Sequence, residues 1–155
     1  MVPLEHGVRL FDTMTREMRV LEPADGRVFG FYCCGPTVYG PAHIGNFRTF
    51  VLNDVLRRVM EVSGTRTKHV RNITDVDDKI IIESDKLGVD ISTLTEDITR
   101  VYQANMLKLN MLKPTHEPKV TENINNIIDT VQKIINNKSA YISENHVVFD
   151  MESFS

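Results

Sequence analysis

The sequence predicts an α/β fold built on a parallel sheet. Residues 28–34 form a short apolar and aromatic run, which is typical of a strand buried on both faces. Residues 47–62 then repeat apolar side chains at helical spacing, and residues 66–73 have the pattern of a second strand. This order of strand, helix and strand predicts a right-handed crossover, and ligands of such a unit bind at the carboxyl ends of its strands.

Composition indicates one ordinary folded domain. The 155 residues are 41% hydrophobic, which is enough to bury a core. The formal charge of -3 argues against a general basic field for nucleic acid, so any RNA contact must be local. The two cysteines, Cys33 and Cys34, are adjacent, which argues against an intrachain disulfide. Charged residues interrupt the N-terminal segment, and no run approaches the ~18 apolar residues of a membrane span, so we expect a cytoplasmic protein without a membrane segment.

The elements around the first strand of the sheet are, in chain order, a hairpin, a turn and a helix. Residues 8–21 predict a short hairpin or edge segment, and residues 23–26 predict a turn. The helix that follows the loop of residues 35–46 is expected to stop at Ser63 and Gly64. Its predicted buried face carries Phe47, Val51, Val55, Val59 and Val62.

Two helices are predicted after the second strand. The first has Thr74 as its N-cap and closes at Gly88. The second has Ser92 or Thr93 as its cap. Its apolar face is expected to carry Leu94, Ile98, Val101, Met106 and Leu109.

A last helix and a hairpin follow Pro114 and Pro118, which break the chain. The helix is predicted to start at Thr121, and residues 140–150 predict two short strands around a turn at residues 144–146. The face of this helix that is expected to be buried consists of Ile124, Ile127, Ile128, Val131, Ile134 and Ile135.

The loop of residues 35–46 carries the strongest functional pattern. His43 and Asn46 are three residues apart where the loop turns into a helix, beside the unpaired N–H groups of the first turn. Gly45 between them leaves room for a flat ring or a phosphate chain. The pattern suits a nucleotide site, although for an isolated His and Asn helix capping is the favoured interpretation by roughly two to one.

The residues around this loop extend the pattern. Residues 34–39 are CGPTVY and residues 43–46 are HIGN. They closely resemble the signature of cysteinyl-tRNA synthetases, which are class I aminoacyl-tRNA synthetases with a Cys-Gly-x-Thr-Val-Tyr lead before a HIGH tetrad. The resemblance continues, in the order of that family, at residues 70–81, 112–114, 117–118 and 140–145.

The resemblance implies a Rossmann-like half-domain in residues 1–115 and the start of a connective insertion in residues 116–155. It implies activation of L-cysteine with ATP and Mg²⁺, followed by transfer to tRNA(Cys). His43 and Asn46 are then catalytic and bind ATP together with Gly45. Asn46 stands where the family has the second His of HIGH, and an amide can donate a hydrogen bond but cannot become cationic. Either geometry alone matters at this position, or turnover depends on another cation.

The same resemblance implies that Gly35 and Thr74 bind the substrate cysteine and that Cys34 is a zinc ligand. Thiolate-bound zinc with an open position accepts a substrate thiol and rejects the hydroxyl of serine. Without the resemblance, Cys34 fits a small buried core residue better than a ligand. The remaining zinc ligands are not expected among these 155 residues.

Other charged groups have structural interpretations. The acidic residues Asp75, Asp77 and Asp78 suit the start of a helix better than a Mg²⁺ site. The histidines His69, His116 and His146 are interpreted as surface or structural residues. A solvated face is favoured over an RNA track for the basic residues, which are Arg57, Arg58, Arg66, Lys68 and Arg71.

Three other functions share parts of this pattern. A related cysteine ligase that builds a small thiol on an amino sugar, of the mycothiol type, has the same front half. A small HIGH-type nucleotidyltransferase has no use for the Cys34 motif, and a non-catalytic nucleotide-binding fragment needs only the loop. The resemblance also implies a KMSKS loop, whose lysines act in the same reaction. Because this loop and most zinc ligands are missing from these residues, we expect little or no aminoacylation from this chain alone.

Overall fold

A parallel pair of strands organises the first part of the chain in the computed structural model, which describes residues 7–153. The strands are β1 Arg9–Asp12, β2 Glu17–Val20, β3 Val28–Cys33, β4 Arg66–Arg71, β5 Ala140–Ser143 and β6 His146–Phe149. The helices are α1 Ile44–Val62, α2 Asp78–Leu87, α3 Ile91–Lys108 and α4 Ile124–Asn136, the last preceded by a 3₁₀ turn at Thr121–Asn123. The order of elements is the predicted one.

The chain divides into two compact units, and the second begins at Thr121. The first unit contains β1 to α3, and the second contains α4 and the β5–β6 hairpin. The boundary expected between residues 115 and 116 stays a prediction. No helix in the part of the chain that the structure describes has the length and apolar character needed to cross a membrane.

β3 and β4 pair in parallel, in a register that runs from Val28 beside Arg66 to Cys33 beside Arg71. The pairing continues beyond both strands, because the Thr74 N–H donates to the Pro36 carbonyl at 2.9 Å and the Val38 N–H donates to the Thr74 carbonyl at 3.1 Å. The predicted strand, helix and parallel strand are therefore confirmed. The loop after β3 and the residues after β4 are held together at the carboxyl edge of the sheet.

Burial of β3 on both faces was a wrong prediction. Its residues are half-buried or exposed, and Tyr32 is 61% exposed. The sheet formed by the described residues contains only β3 and β4, so the apolar side chains of β3 are covered by few neighbours. On the far side of β4, the segment after Pro114 lies alongside, and the Arg71 N–H donates to the His116 carbonyl at 3.1 Å.

The predicted apolar face of α1 is covered only at Phe47. Its buried residues are Phe50, Asp54 and Met60, and Phe47 packs against the cluster that Phe50 forms with Tyr102 and Met106. The expected valines point elsewhere, with exposed fractions of 38% for Val51, 48% for Val55, 38% for Val59 and 66% for Val62. The helix turns the Phe50 face inward because Tyr102 and Met106 of α3 pack against it, with the Phe50 and Tyr102 rings in an edge-to-face contact at 5.5 Å.

The caps of α2 and α3 differ from the prediction. Asp77, rather than Thr74, caps α2, since its side chain accepts from the Lys79 N–H while Thr74 is engaged in the strand extension. Asp90 precedes the first residue of α3, so the helix begins two or three residues earlier than the expected cap at Ser92 or Thr93. Gly88 ends α2 in the left-handed conformation, as predicted.

The α2 and α3 helices contribute to a small core. Ile80 of α2 and Leu94 of α3 pack with Val38 and Ile73, which lie after β3 and β4. Of the residues expected on the apolar face of α3, Leu94 and Met106 are buried, whereas Val101 and Leu109 are exposed. The site loop is therefore anchored through Val38 to the two helices that follow β4.

In the second unit the hairpin forms where it was predicted, whereas α4 begins at Ile124, after a 3₁₀ turn at Thr121–Asn123, and not at Thr121. None of the α4 residues is buried. Its apolar stripe was expected to be covered. Ile124 is 41% exposed, Ile127 is 44% exposed and Ile128 is 57% exposed. The physical reason is that an amphipathic pattern specifies a face and not the partner that covers it.

Arg71 corrects the interpretation of the basic residues as a solvated face. It is 2% exposed and forms an ion pair with Glu117, with 3.0 Å between Nη2 and Oε1. Arg57 and Arg58 are half-buried and pair with carboxylates of the same helix, Glu61 and Asp54. The guanidinium groups of these arginines are therefore part of the packed structure and not of a solvated face. The same holds for the side chain of His69, which is 2% exposed.

Candidate active site

The loop between β3 and α1 lines a pocket of about 250 Å³. The loop supplies most of the wall, and α2 and α3 supply the rest. The lining residues are Gly35, Pro36, Thr37, Tyr39, Gly40, Pro41, Ala42, His43, Asn46, Lys79, Ile98 and Tyr102. The structure therefore brings three of the predicted site residues, Gly35, His43 and Asn46, to one cavity. Thr74, Gly45 and Cys34 are not among the residues that line it.

His43 and Asn46 form a reciprocal cap at the start of α1. The Gly45 N–H donates to His43 Nδ1 at 3.0 Å, and the His43 N–H donates to Asn46 Oδ1 at 3.1 Å. Capping and ligand binding are compatible here, since each cap uses one atom of the side chain. A neutral His43 that accepts at Nδ1 carries its proton on Nε2, and Asn46 retains its amide N–H₂. Both can offer a donor to a ligand.

Gly45 makes room for His43. A Cβ at this position would lie 2.8 Å from His43 Cε1 and 3.0 Å from Nδ1. The missing side chain therefore permits the capping geometry of His43, which the sequence alone did not indicate. Any role of Gly45 in ATP binding is indirect in this geometry, through the ring that it accommodates.

Asn72 joins the two positions expected to bind cysteine. Its Oδ1 accepts from the Gly35 N–H at 3.0 Å and from the Tyr32 hydroxyl at 2.8 Å. Its Nδ2 donates to Thr74 Oγ1 at 2.9 Å. Sequence reasoning placed Asn72 in a stretch that resembles the family but gave it no role. The feature that could have indicated this role is the position of Asn72 at the end of β4, opposite the end of β3.

Cys34 lies directly after β3 and is exposed, whereas Cys33 is half-buried. Burial raises the pKa of the Cys33 thiol, which disfavours its reactive thiolate form. Among residues 7–153, no three His, Cys, Asp or Glu side chains come together as a metal site would require. One thiol does not fit a zinc centre, which needs three or four protein ligands.

Lys79 and Tyr102 are pocket residues that sequence reasoning missed. The Lys79 ammonium lies 5.7 Å from the centroid of the Tyr39 ring, and both residues line the pocket. Tyr102 is 2% exposed, and its hydroxyl has no hydrogen-bond partner among the described residues. Burial raises the pKa of the Tyr102 hydroxyl, so this group stays protonated.

A second pocket, of about 190 Å³, contains none of the predicted site residues. It is bordered by Arg71 and Glu117 on one side and by Met106 and Met111 on another. Its wall is mainly apolar, in contrast to the polar loop pocket. The predicted residues Gly35, His43 and Asn46 therefore line the loop pocket and not this one.

The fold of the chain is similar to that of a solved aminoacyl-tRNA synthetase. A solved structure, the ternary complex of Agrobacterium radiobacter K84 agnB2 LeuRS with tRNA and LeuAMS, matches with a TM-score of 0.59. The match covers 78% of this chain and 16% of that chain at 18% sequence identity, so it shows the fold alone.

The chain belongs to the family of tRNA synthetases class I (C) catalytic domains, whose model matches residues 20–155. It is 45% identical over 148 residues to a cysteine–tRNA ligase of Rickettsia prowazekii, covering 94% of this chain and 32% of that protein. A cysteine–tRNA ligase of Parvibaculum lavamentivorans is 42% identical over 153 residues, covering 99% of this chain and 33% of that protein. The resemblance identified in the sequence is confirmed, and the chain spans about a third of the length of these relatives.

Proposed function

We propose that this chain is part of the catalytic region of a cysteine–tRNA ligase, which activates cysteine with ATP and transfers it to tRNA(Cys). The observation that carries the proposal is the reciprocal His43 and Asn46 cap, which leaves one donor of each side chain available at a polar pocket. The names of the relatives support it, since the matched family members are cysteine–tRNA ligases.

The chemistry proposed for the pocket is adenylate formation. The carboxylate of cysteine attacks the α-phosphorus of ATP, a new C–O–P linkage forms, and pyrophosphate leaves with the electrons of the broken P–O bond. Such a step needs positioning and charge stabilisation more than a covalent nucleophile. His43 Nε2–H and the Asn46 amide are the donors proposed to contact the phosphate oxygens. Gly45 supports them through His43.

Recognition of cysteine is proposed at the junction of β3 and β4. Gly35 and Thr74 are held there by Asn72, and the side chain of Thr74 is fixed by the bond from Asn72 Nδ2. Cys34 is proposed as one zinc ligand. The described residues do not supply the others, so zinc coordination requires further ligands.

Several properties of the whole enzyme remain parts of the same proposal. They are the use of Mg²⁺ with ATP, binding of tRNA(Cys) and a cytoplasmic location. The relatives are about three times as long as this chain, and we expect tRNA contacts to lie mainly in regions outside it. The chain alone is expected to show little or no aminoacylation.

Two measurements test the proposal. Calorimetric titration of the chain with ATP should show binding, and His43→Ala should weaken it. The product of the gene that encodes this chain should exchange pyrophosphate into ATP only when L-cysteine is present. ATP binding without cysteine-dependent exchange would favour a non-catalytic nucleotide-binding protein. Exchange by the 155-residue chain at the rate of a full-length cysteine–tRNA ligase would contradict the expected inactivity of the chain.

The small-thiol ligase is the alternative closest in chemistry, because it forms the same cysteinyl adenylate. The acceptor distinguishes the two. Radiolabelled cysteine should be transferred to tRNA, which makes the label acid-precipitable. Incubation with an amino sugar as the acceptor should give no labelled product. The opposite result would favour the small-thiol ligase.

A further inference from the structure

We propose that Lys79 is the cation of this site and that its ammonium contacts the polyphosphate of ATP. The inference rests on the proposed function. Lys79 faces the pocket from α2, whereas His43 and Asn46 belong to the loop and α1. A ligand in the pocket is therefore contacted from both walls.

The backbone fixes where Lys79 can reach. It is the second residue of α2, and its N–H donates to Asp77 Oδ1 at 2.9 Å. The side chain of Lys79 extends over Tyr39, with 5.7 Å between Nζ and the ring centroid. A cation over the face of an aromatic ring is attracted by its quadrupole, which holds the ammonium at the pocket rather than in open solvent.

The charge of the pocket points to an anionic ligand. Among the described residues that line it, Lys79 is the one with a permanent formal charge, and none carries a carboxylate. The acidic residues next to Lys79 in sequence are not part of the wall, and the Asp77 carboxylate is engaged in capping α2. A polyphosphate carries several negative charges, so the ammonium group of Lys79 can form an ion pair with it.

A cationic Lys79 compensates for the neutral side chain of Asn46 in the tetrad. An amide cannot become cationic, so the HIGN tetrad provides at most one ionisable group, His43. His43 accepts a hydrogen bond at Nδ1 in the structure, which is the geometry of the neutral ring. Lys79 supplies from the opposite wall the positive charge that the tetrad lacks. It can remain with the β- and γ-phosphates as pyrophosphate leaves.

The test compares ATP with adenosine as probes, by calorimetric titration of the chain. Lys79→Ala should weaken ATP affinity by roughly 10- to 100-fold, the value of a charged hydrogen bond. Adenosine affinity should change little, because adenosine has no phosphate. Lys79→Arg should retain most of the ATP affinity. Lys86→Ala is the matched control, since Lys86 lies in the same helix and pairs with Glu83 at 3.2 Å, and it should bind both probes as the unmodified chain does.

Each contrary outcome has a distinct meaning. Equal loss of ATP and adenosine affinity in Lys79→Ala would show that Lys79 only holds the Tyr39 loop, and it would overturn the proposed phosphate contact. Unchanged ATP affinity in both Lys79→Ala and Lys79→Gln would overturn it as well. Failure of the unmodified chain to bind ATP would instead overturn the proposed function, and with it this inference. Thermal unfolding of each variant should match that of the unmodified chain, since Lys79 is exposed.

Discussion

The Gly35 N–H donates to Asn72 Oδ1 at 3.0 Å, and the Cα of Gly35 faces the Asn72 carbonyl so closely that no side chain fits between them. A Cβ built on Gly35 would lie 1.6 Å from that carbonyl oxygen and 2.8 Å from the carbonyl carbon. The first residue beyond Cys34 must therefore be glycine for the ends of β3 and β4 to meet. The same contact fixes the backbone beside the proposed cysteine site.

Gly35→Ala is expected to be strongly destabilising. The clash is with backbone, which cannot rotate away, so we expect a loss of about 3 kcal/mol in the free energy of unfolding. Urea unfolding measures it. Gly30→Ala is the matched control in β3, because a Cβ there meets nothing within 4 Å, and it should be neutral or slightly stabilising. Similar unfolding midpoints for the two variants would contradict the tight approach of Gly35 to Asn72.

Two substitutions of Asn46 should rank in opposite orders for the stability of the chain and for its affinity for ATP. Asn46→Asp keeps the acceptor for the His43 N–H and adds a negative charge in the first turn of α1, so stability should be unchanged or higher by about 0.5 kcal/mol. Asn46→Ala removes the cap and should cost about 1 kcal/mol. ATP affinity should follow the opposite order, because only the carboxylate of Asn46→Asp repels phosphate.

Urea unfolding and calorimetric titration with ATP of the two Asn46 variants measure these orders. The prediction fails if Asn46→Asp binds ATP as well as Asn46→Ala does. Parallel losses of stability and affinity would also contradict it, because they would mean that the helix cap and the ligand contact are one effect.

His69 should make the stability of the chain depend on pH. Its side chain is buried, its ring stacks on Phe31 at 4.6 Å, and neither ring nitrogen has a hydrogen-bond partner among the described residues. Burial, aided by the positive charges of Arg71 and Arg57, holds the pKa of His69 below its ordinary value of 6.5. Below pH 6.5 the unfolded chain therefore binds a proton that the folded chain does not. The stability that the neutral His69 ring contributes is fully present above pH 6.5 and is lost as the pH decreases towards the lowered pKa of His69.

Urea midpoints at pH 7.5 and pH 5.5 measure this dependence. His69→Phe retains an aromatic ring beside Phe31 and should reduce the difference between the two midpoints, whatever its effect on absolute stability. His146→Gln, at an exposed position in β6, should leave the difference unchanged. An equal difference in the unmodified chain and His69→Phe would show that His69 is not responsible.

The sequence predicted the elements better than their buried faces. The order of strands and helices follows from local periodicity and from punctuating residues such as Gly88, whose left-handed conformation closes α2. The burial of Phe50 rather than Val51 depends on Tyr102, which is distant in sequence, and no local pattern contains that information. Thr74 was assigned to a helix cap for the same reason, because its pairing with Pro36 and Val38 is a tertiary contact.

The candidate site shows the same division. His43 and Asn46 could be found because both lie within one short motif, and the structure places both at the pocket. Lys79 and Asn72 lie in a stretch whose resemblance to the family was visible, yet their roles depend on distances across the fold. A motif identifies residues that are close in sequence, whereas the opposite wall of a pocket comes from elements that only folding brings near.

The buried ion pair of Arg71 and Glu117 should be among the most sensitive features of the first unit. Their side chains are 3% and 10% exposed, and the guanidinium carbon lies 5.4 Å from the ring centroids of both Phe50 and Tyr102. Gln103 Nε2 donates to the second carboxylate oxygen of Glu117 at 3.2 Å. Removing Glu117 would leave a cation in a largely apolar environment, and such losses typically cost about 3–5 kcal/mol.

Glu117→Ala should therefore lower the free energy of unfolding by about 3 kcal/mol or more. Asp97→Ala is the control, because the Arg100 and Asp97 pair has the same 3.0 Å separation but is 74% and 60% exposed, and it should cost less than about 1 kcal/mol. The double variant Arg71→Met with Glu117→Leu should be more stable than Glu117→Ala, since it leaves no unpaired charge. Equal losses of unfolding free energy in the Glu117 and Asp97 variants would show that burial does not strengthen the Arg71–Glu117 ion pair. Because Asn72 directly follows Arg71, a loosened Arg71 should also weaken the contact that holds Gly35 at the site.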